Sequence, residues 1–406
     1  MAFKLEKKLL SRISVWAERY VKEQKFAGLS IMVKQAGQEV FFNAVGQLDI
    51  ESDKPFARDT VARIYSMTKP ITALALMTLV EKGYLSLNTP VSAFLPEFTN
   101  CHALIPKAKS MEQTFACQPP TLHQLLTHTS GLSYSFNKSL VSDAMKKRNI
   151  DFSPDSGTLA DQCKSVATLP LAFQPGAKWE YSVGIDIIGR VIEVVTGQNL
   201  GEFLMQQVFE PLEIKETSFS VKPNQQRRFA SLYTPFTSDP MYLGQHADDN
   251  SSLHAIDNTL GSPFLEPTLH SGGGGLVGTI DDYMKFAECL RRNGQGPNEK
   301  IISKSTAKFM LANHLQGDIA SLGTTSFSEQ PMDGVGFSLA GAVIIDPALS
   351  TVPGSIGDFS WGGIASTFFW VDPINHLSVV MFTQLAPSSS YPIRAELKAL
   401  VHGALS

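Results

Sequence analysis

Strand signals stand at both ends of this chain, and a long helical stretch separates them. Near the start, residues 28–34 are largely apolar with β-branched members, and a short glycine-bearing turn at 35–38 leads into a second such run, 39–46. That pattern predicts a hairpin. Late in the chain, 335–345, 365–372 and 377–383 predict three more strands, the last two joined by a turn at Asp372-Pro373-Ile374-Asn375, and 392–404 predicts a closing helix. Before the first strand, Leu9, Ile13, Trp16, Ala17 and Tyr20 recur at helical spacing. In between, 122–126, 165–173, 184–195 and 200–209 carry helical periodicity, with Pro, Gly, Ser and Asn clusters at 150–157, 221–226 and 237–275. The polar stretch 238–258 reads as a surface loop or lid. Strand-forming ends around a helical middle predict an α+β, sandwich-like fold: one antiparallel sheet assembled from both termini, flanked by N- and C-terminal helices, with a large helical domain inserted. The expected division is 1–75 and 291–406 for the two parts of the α/β domain and 76–290 for the mainly helical one.

Within this frame one tetrapeptide carries chemistry. Arg63-Ile64-Tyr65 runs into Ser66-Met67-Thr68-Lys69, and Ile71, Leu74, Ala75, Met77, Leu79 and Val80 then form a helix apolar on most faces, ending near Lys82-Gly83. Such a helix is buried, so a serine at its start lies where core meets surface. Residues three apart share a helix face, which sets the Ser66 hydroxyl beside the Lys69 ammonium. The helix N-terminus also offers unpaired N–H groups to a forming anion. Taken alone, the tetrapeptide reads more readily as an N-cap serine followed by a solvated lysine.

Composition excludes several classes. The 406 residues suit two to three domain-sized units or one large interrupted fold. A net charge of −4 with no block of like charge argues against nucleic acid or an anionic membrane as partner. No run of about 20 apolar residues predicts a membrane span. The N-terminal run lacks an apolar signal core followed by a small-residue cleavage site, so a cytoplasmic chain is expected, or a periplasmic one if a leader was trimmed. Cys101, Cys117, Cys163 and Cys289 are scattered and read as reduced structural thiols. The histidines show no metal-ligand spacing, and His128 reads as a hydrogen-bonded structural residue. Gly272-Gly273-Gly274-Gly275 lacks phosphate-loop spacing and reads as a turn allowing close backbone approach. No metal or cofactor is expected, and nothing specifies an oligomeric state.

A Ser-Lys pair needs a proton carrier and an oxyanion site to become an enzyme. One candidate is Tyr181, delivered by the Pro175-Gly176 turn just before a helix that starts near Gly184. Beside an ammonium its phenolate would be stabilised and could take the serine proton; a buried tyrosine satisfied by backbone is the plainer reading. The other candidate is Trp361-Gly362-Gly363-Ile364, where paired glycines on an inner edge strand let a ligand approach the backbone and leave an N–H for an oxyanion. A β-bulge with a core tryptophan is its alternative.

Together these segments resemble the serine β-lactamase-like superfamily, above all class C β-lactamases and the family VIII carboxylesterases on the same β-lactamase/transpeptidase-like fold. Leu125-Leu126-Thr127-His128-Thr129-Ser130-Gly131-Leu132, Pro175 to Ser182, Phe209-Glu210-Pro211-Leu212 and Gly274-Gly275-Leu276-Val277 add to the resemblance, in the family's order, over about 25–385. Carried over residue by residue, the resemblance implies that Ser66 is the nucleophile and Lys69 its activator. It makes Tyr181 the general base toward Ser66 and acid toward the leaving group, with the Lys69–Tyr181 pair sharing the first proton transfer and the N–H groups of Ser66 and Ile364 as the oxyanion hole. Trp361, Gly362 and Gly363 then border the substrate, while Tyr134 and Phe136 read either as acyl-pocket lining or as loop packing.

Two departures narrow the expected function. The family's Tyr-x-Asn reads Tyr181-Ser182-Val183 here, and the lactamases' Lys-Thr-Gly reads Trp361-Gly362-Gly363, so an amide and a cation are missing. A neutral aromatic rim suits an uncharged ester better than an anionic antibiotic, and the Gly-x-Ser-x-Gly elbow of ordinary esterases is absent. The expectation is a serine carboxylesterase acting on short-chain esters through an acyl-serine. On the same fold the alternatives are a weak β-lactamase, an acyltransferase and a D-amino-acid peptidase, with a small-molecule ester or β-lactam as substrate. An inactive penicillin-binding-like sensor is the non-enzyme alternative.

Overall fold

Both ends of the chain meet in one eight-stranded sheet. The computed structural model describes residues 4–248 and 251–406. In chain order the strands of the sheet are β1 (Gly28–Gln35), β2 (Gln38–Asp49), β3 (Lys54–Pro55), β4 (Val335–Phe337), β5 (Ala342–Ile344), β6 (Phe359–Gly362), β7 (Phe368–Asp372) and β8 (Leu377–Thr383). Across the sheet they run β4-β5-β6-β7-β8-β1-β2-β3, each antiparallel to its neighbour. The last strand thus lies beside the first, with Leu29 opposite Thr383 and Gln35 opposite Leu377.

Five helices fix the site: α1 (Lys7–Lys22), α2 (Thr68–Glu81), α3 (Gly184–Thr196), α4 (Ile280–Arg291) and α5 (Ile393–His402). Successive strand residues face opposite ways, and here both faces are covered. Leu29, Ile31, Val33, Trp370, Val379 and Met381 pack against the terminal helices α1 and α5. Their neighbours Met32, Phe369, Val371, Val380 and Phe382 point to the other side, into the large core that includes Tyr283 and Phe286 of α4. Double coverage is why these strands read as unbroken apolar runs rather than alternating ones. The indole N–H of Trp16 and the hydroxyl of Tyr20, both on α1, donate to Glu396 of α5 and join the two ends of the chain. No helix of the described residues is long and apolar enough to cross a membrane.

Several elements differ from the expected ones. Residues 335–345 form a hairpin, β4 and β5, rather than one strand: Ser338 N–H bonds back to Gly341 C=O, and Ala340, at φ 71°, donates to Leu126 C=O. The strand expected from 365 begins at Phe368, because 363–366 is a turn with Ser366 at φ 63°. The helix expected at 165–173 is Leu159–Ala167, capped by the Thr158 hydroxyl. Pro170 cannot continue a helix, and Leu171 instead bonds to the backbone of His102 and Leu104. Helices Leu140–Lys147 and Lys304–Leu311 were not foreseen, although Ser139 and Ser303 cap them. The polar stretch 238–258 contributes a strand, His254–Asp257, paired with Leu232–Thr234; Asp249 and Asn250 of that stretch lie outside the described residues.

Leu397 is fully buried between α5 and the sheet. Leu397→Ala is expected to lower unfolding stability by about 2–5 kcal/mol, read from urea midpoints, while the folded fraction keeps its activity.

Candidate active site

The nucleophile candidate sits on a turn held from several sides. Tyr65–Met67 form a 3-10 turn that runs directly into α2. Before it, Ala62–Arg63 pair with Val277–Gly278, and Ile64 N–H bonds to Leu276 C=O. Beyond it, the Tyr283 hydroxyl of α4 donates to Met67 C=O at 2.9 Å. Tyr65 takes φ 42°, a left-handed conformation rare for a bulky residue, so the turn carries backbone strain next to Ser66. The cause of burial is sequence: Thr68 to Leu79 are all buried, and Lys69 is 0% exposed.

Two groups converge on Ser66. Lys69 Nζ lies 3.1 Å from Ser66 Oγ, and the Tyr181 hydroxyl donates to the same oxygen at 2.5 Å. Lys69 Nζ also donates to Gly273 C=O at 2.6 Å and stands 4.6 Å above the Tyr181 ring. The glycine run explains itself here. A Cβ on Gly273 would collide with the Asp186 carboxylate, and one on Gly272 would crowd Ile185 C=O and Thr72. Only backbone fits between α2 and α3, so its carbonyls reach Lys69 and Thr72.

Tyr181 is placed by its own neighbours. Asn137 Nδ2 donates to Tyr181 C=O at 2.9 Å, and Glu180 N–H bonds to His128 C=O. His128, buried and at φ 56°, holds the Ser182 hydroxyl through Nδ1 at 3.1 Å, the structural part expected of it. Its ring, with those of Tyr134, Phe327 and Trp361, surrounds the phenol.

Burial distributes the protons differently from the sequence expectation. It pushes the Lys69 amine down to about 7, with the Asp186 charge opposing the shift. It pushes the Tyr181 phenol up, against smaller opposing effects of Ser66 and Trp361. A phenolate steadied by an ammonium is therefore not the resting pair. Burial disfavours the charged form of each, so phenol beside free amine is favoured.

Asp186 is the residue that sequence reasoning missed. It lies in the first turn of α3, fully buried, and accepts from the Ser271 hydroxyl, from Gly273 N–H at 2.9 Å and from the Tyr134 hydroxyl at 3.4 Å. Burial raises its pKa and Lys69 lowers it. The signal was present as a lone carboxylate among Ile185, Ile187 and Ile188, where an unpaired charge is costly. Tyr134 thus does two things: it lines the cavity and binds Asp186.

Trp361 and Gly362 close β6, and β6 lies inside the sheet between β5 and β7 rather than at an edge. Ile364 follows in the turn. Neither its N–H nor that of Ser66 donates to another protein group among the described residues, and both residues line the cavity. Gly363 has no room for a side chain, since a Cβ would strike Ile64 C=O and the Thr367 hydroxyl. This contact sets the Ile364 turn against the segment leading to Ser66.

Ser66 opens into a cavity of about 750 Å³. Phe136, Met145, Ile150 and Phe152 form an apolar wall, Val183 lies close by, and Met241 and Leu243 come from the polar stretch after 238. As for cations, Asp358, Asp372 and His402 bring ligand atoms within 4.8 Å of one another at the opposite end of β6. The Lys398 ammonium, 3.5 Å from Asp358, already supplies positive charge there.

Comparison with known proteins agrees with this geometry. The family model described as Beta-lactamase matches residues 14–403. Esterase EstB of Burkholderia gladioli is 31% identical over 407 residues, covering 97% of this chain and 95% of that protein. Lovastatin esterase of Penicillium rubens is 29% identical, covering 89% of each. Among solved structures, EstCE1, described as a hydrolase with promiscuous acyltransferase activity, superposes with a TM-score of 0.80 at 27% identity over 98% of this chain and 99% of that one.

The tight packing at Gly363 makes a specific demand. Gly363→Ala is expected to slow covalent labelling of Ser66 by a fluorophosphonate by about a hundredfold, with only a modest fall in thermal midpoint.

Proposed function

This chain belongs to the beta-lactamase family, and from that premise we propose that it is a serine carboxylesterase hydrolysing short-chain, uncharged esters through an acyl-Ser66 intermediate. The observation that carries the reading is Ser66 Oγ held between the Lys69 amine at 3.1 Å and the Tyr181 phenol at 2.5 Å. Those contacts support a division of labour. With its pKa near 7, Lys69 is the base that accepts the Ser66 proton as Oγ attacks the ester carbonyl. The Ser66 and Ile364 N–H groups receive the oxyanion. Tyr181, a phenol at neutral pH, gives its proton to the departing alkoxide and recovers one from Lys69. Water then attacks the acyl group, its proton passes to the Lys69–Tyr181 pair, and Ser66 leaves as the alcohol.

Substrate charge follows from the rim. An indole stands at position 361, and Arg394, behind Gly362, is already neutralised by Glu329. An uncharged ester therefore fits better than a β-lactam carboxylate. Acyl transfer to an alcohol is a second reading, favoured by the apolar wall and by the described activity of EstCE1. Product analysis with added alcohol separates it from hydrolysis.

Ser66→Ala is expected to cut hydrolysis of p-nitrophenyl butanoate by about a thousandfold or more while the thermal midpoint holds. Near-full activity in that variant would refute the assignment. The pH profile provides a second check. Because Asp186 raises the Lys69 pKa, Asp186→Asn lowers it and is expected to move the rising limb of kcat/KM to lower pH than in the wild type. A limb that stays in place would separate Asp186 from the base.

A further inference from the structure

The roof of the cavity is a small hairpin that belongs to no large sheet. Ser326–Phe327 pair with Gln330–Pro331 across a turn of Ser328 and Glu329, with Ser328 at φ 57°. Phe327 stacks on Trp361, with centroids 5.7 Å apart and planes at 12°, and meets the Tyr181 ring edge-on at 4.9 Å. At the tip, Glu329 accepts from Arg394 Nη1 at 2.6 Å, and the two side chains are 4% and 7% exposed. Arg394 is on α5 and lies behind Gly362, so close that a Cβ there would be 2.7 Å from Nη2. One guanidinium therefore sits between the hairpin tip and the strand that carries Trp361. Ser328 adds a contact between its hydroxyl and that of Ser388 at 3.1 Å.

A buried ion pair is weak evidence of stability, because apolar side chains of like volume commonly do as well. Such a pair can instead hold an element in place, and Glu329 lies two residues beyond Phe327. If Tyr181 protonates the leaving alcohol, then Phe327 roofs the space that the alcohol occupies. We propose that the Glu329–Arg394 pair is a latch that sets the size of alcohol this enzyme accepts, by holding Phe327 down over Tyr181 and Trp361. Both latch residues are positioning residues; the side chain that meets substrate is Phe327. The inference rests on the esterase reading and adds to it which residues set the alcohol specificity.

The test compares methyl butanoate with 1-naphthyl butanoate, which share an acyl group and differ in the alcohol. The variants are Glu329→Gln, Arg394→Met, the double variant and Phe327→Ala. Each is expected to raise the ratio of kcat/KM for the naphthyl ester over the methyl ester by about tenfold, with the naphthyl KM falling. Glu329→Gln leaves a buried guanidinium unpaired and can lose stability. The double variant removes both charges, so it reads the latch free of that effect. A folded double variant and a folded Phe327→Ala that keep the wild-type ratio overturn the latch alone. No hydrolysis of either ester by the wild-type protein overturns the esterase reading, and the latch with it.

Discussion

Lys69 is surrounded by protein on every side, and the organisation of the site follows from what that does to its proton. In water the amine would be charged and useless as a base. Here desolvation lowers it to about 7, while the same burial raises the phenol beside it. Two groups whose ordinary pKa values nearly coincide are driven apart, and in the proposed reaction that separation supplies one base and one acid at neutral pH. Asp186 moderates the shift: without a nearby anion the amine would fall further, and with a closer one it would stay charged. Gly273 mediates between them, giving its carbonyl to Lys69 and its N–H to Asp186.

Such a lysine requires a helix buried on every face, and such a helix requires a core on all sides. The chain meets this by placing α2 in the large core with α3 and α4 and closing the sheet with strands from both termini. Ser66 comes from before α2, Tyr181 from before α3 and Trp361 from the end of β6. The three segments are far apart in sequence, yet each is held at the boundary of a buried element. The strain at Tyr65 and the crowding at Gly363 occur where those boundaries touch.

Much of this was legible in the residues. The 28–46 hairpin, the strands after 365, the terminal helices and the sheet joining both ends followed from local pattern, because each depends on apolar periodicity and turn chemistry. Ser66, Lys69, Tyr181 and Trp361 followed from motifs whose order mattered more than any one of them. Features that depend on distant packing were not legible. The turn at 338–341 forms because Ala340 meets Leu126. Asp186 acquires its part only when the glycine run passes beside it. The phenolate reading weighed charge attraction without burial, and burial raises the Tyr181 phenol. The 326–331 hairpin has four paired residues, too few for a pattern, and its fixed position depends on Arg394 from the far end of the chain.

The central claim is that a neutral Lys69 takes the proton of Ser66, and pre-steady-state acylation reads that step directly. Rapid mixing of the wild-type protein with p-nitrophenyl butanoate gives the acylation rate constant across pH, and intact mass locates the butanoyl group. The account predicts an adduct on the peptide containing Ser66 and a rate constant that climbs with a midpoint near 7. A rate constant that rises only above about pH 9, where a phenolate or an ordinary lysine would act, or an acyl group elsewhere in the chain, would contradict it.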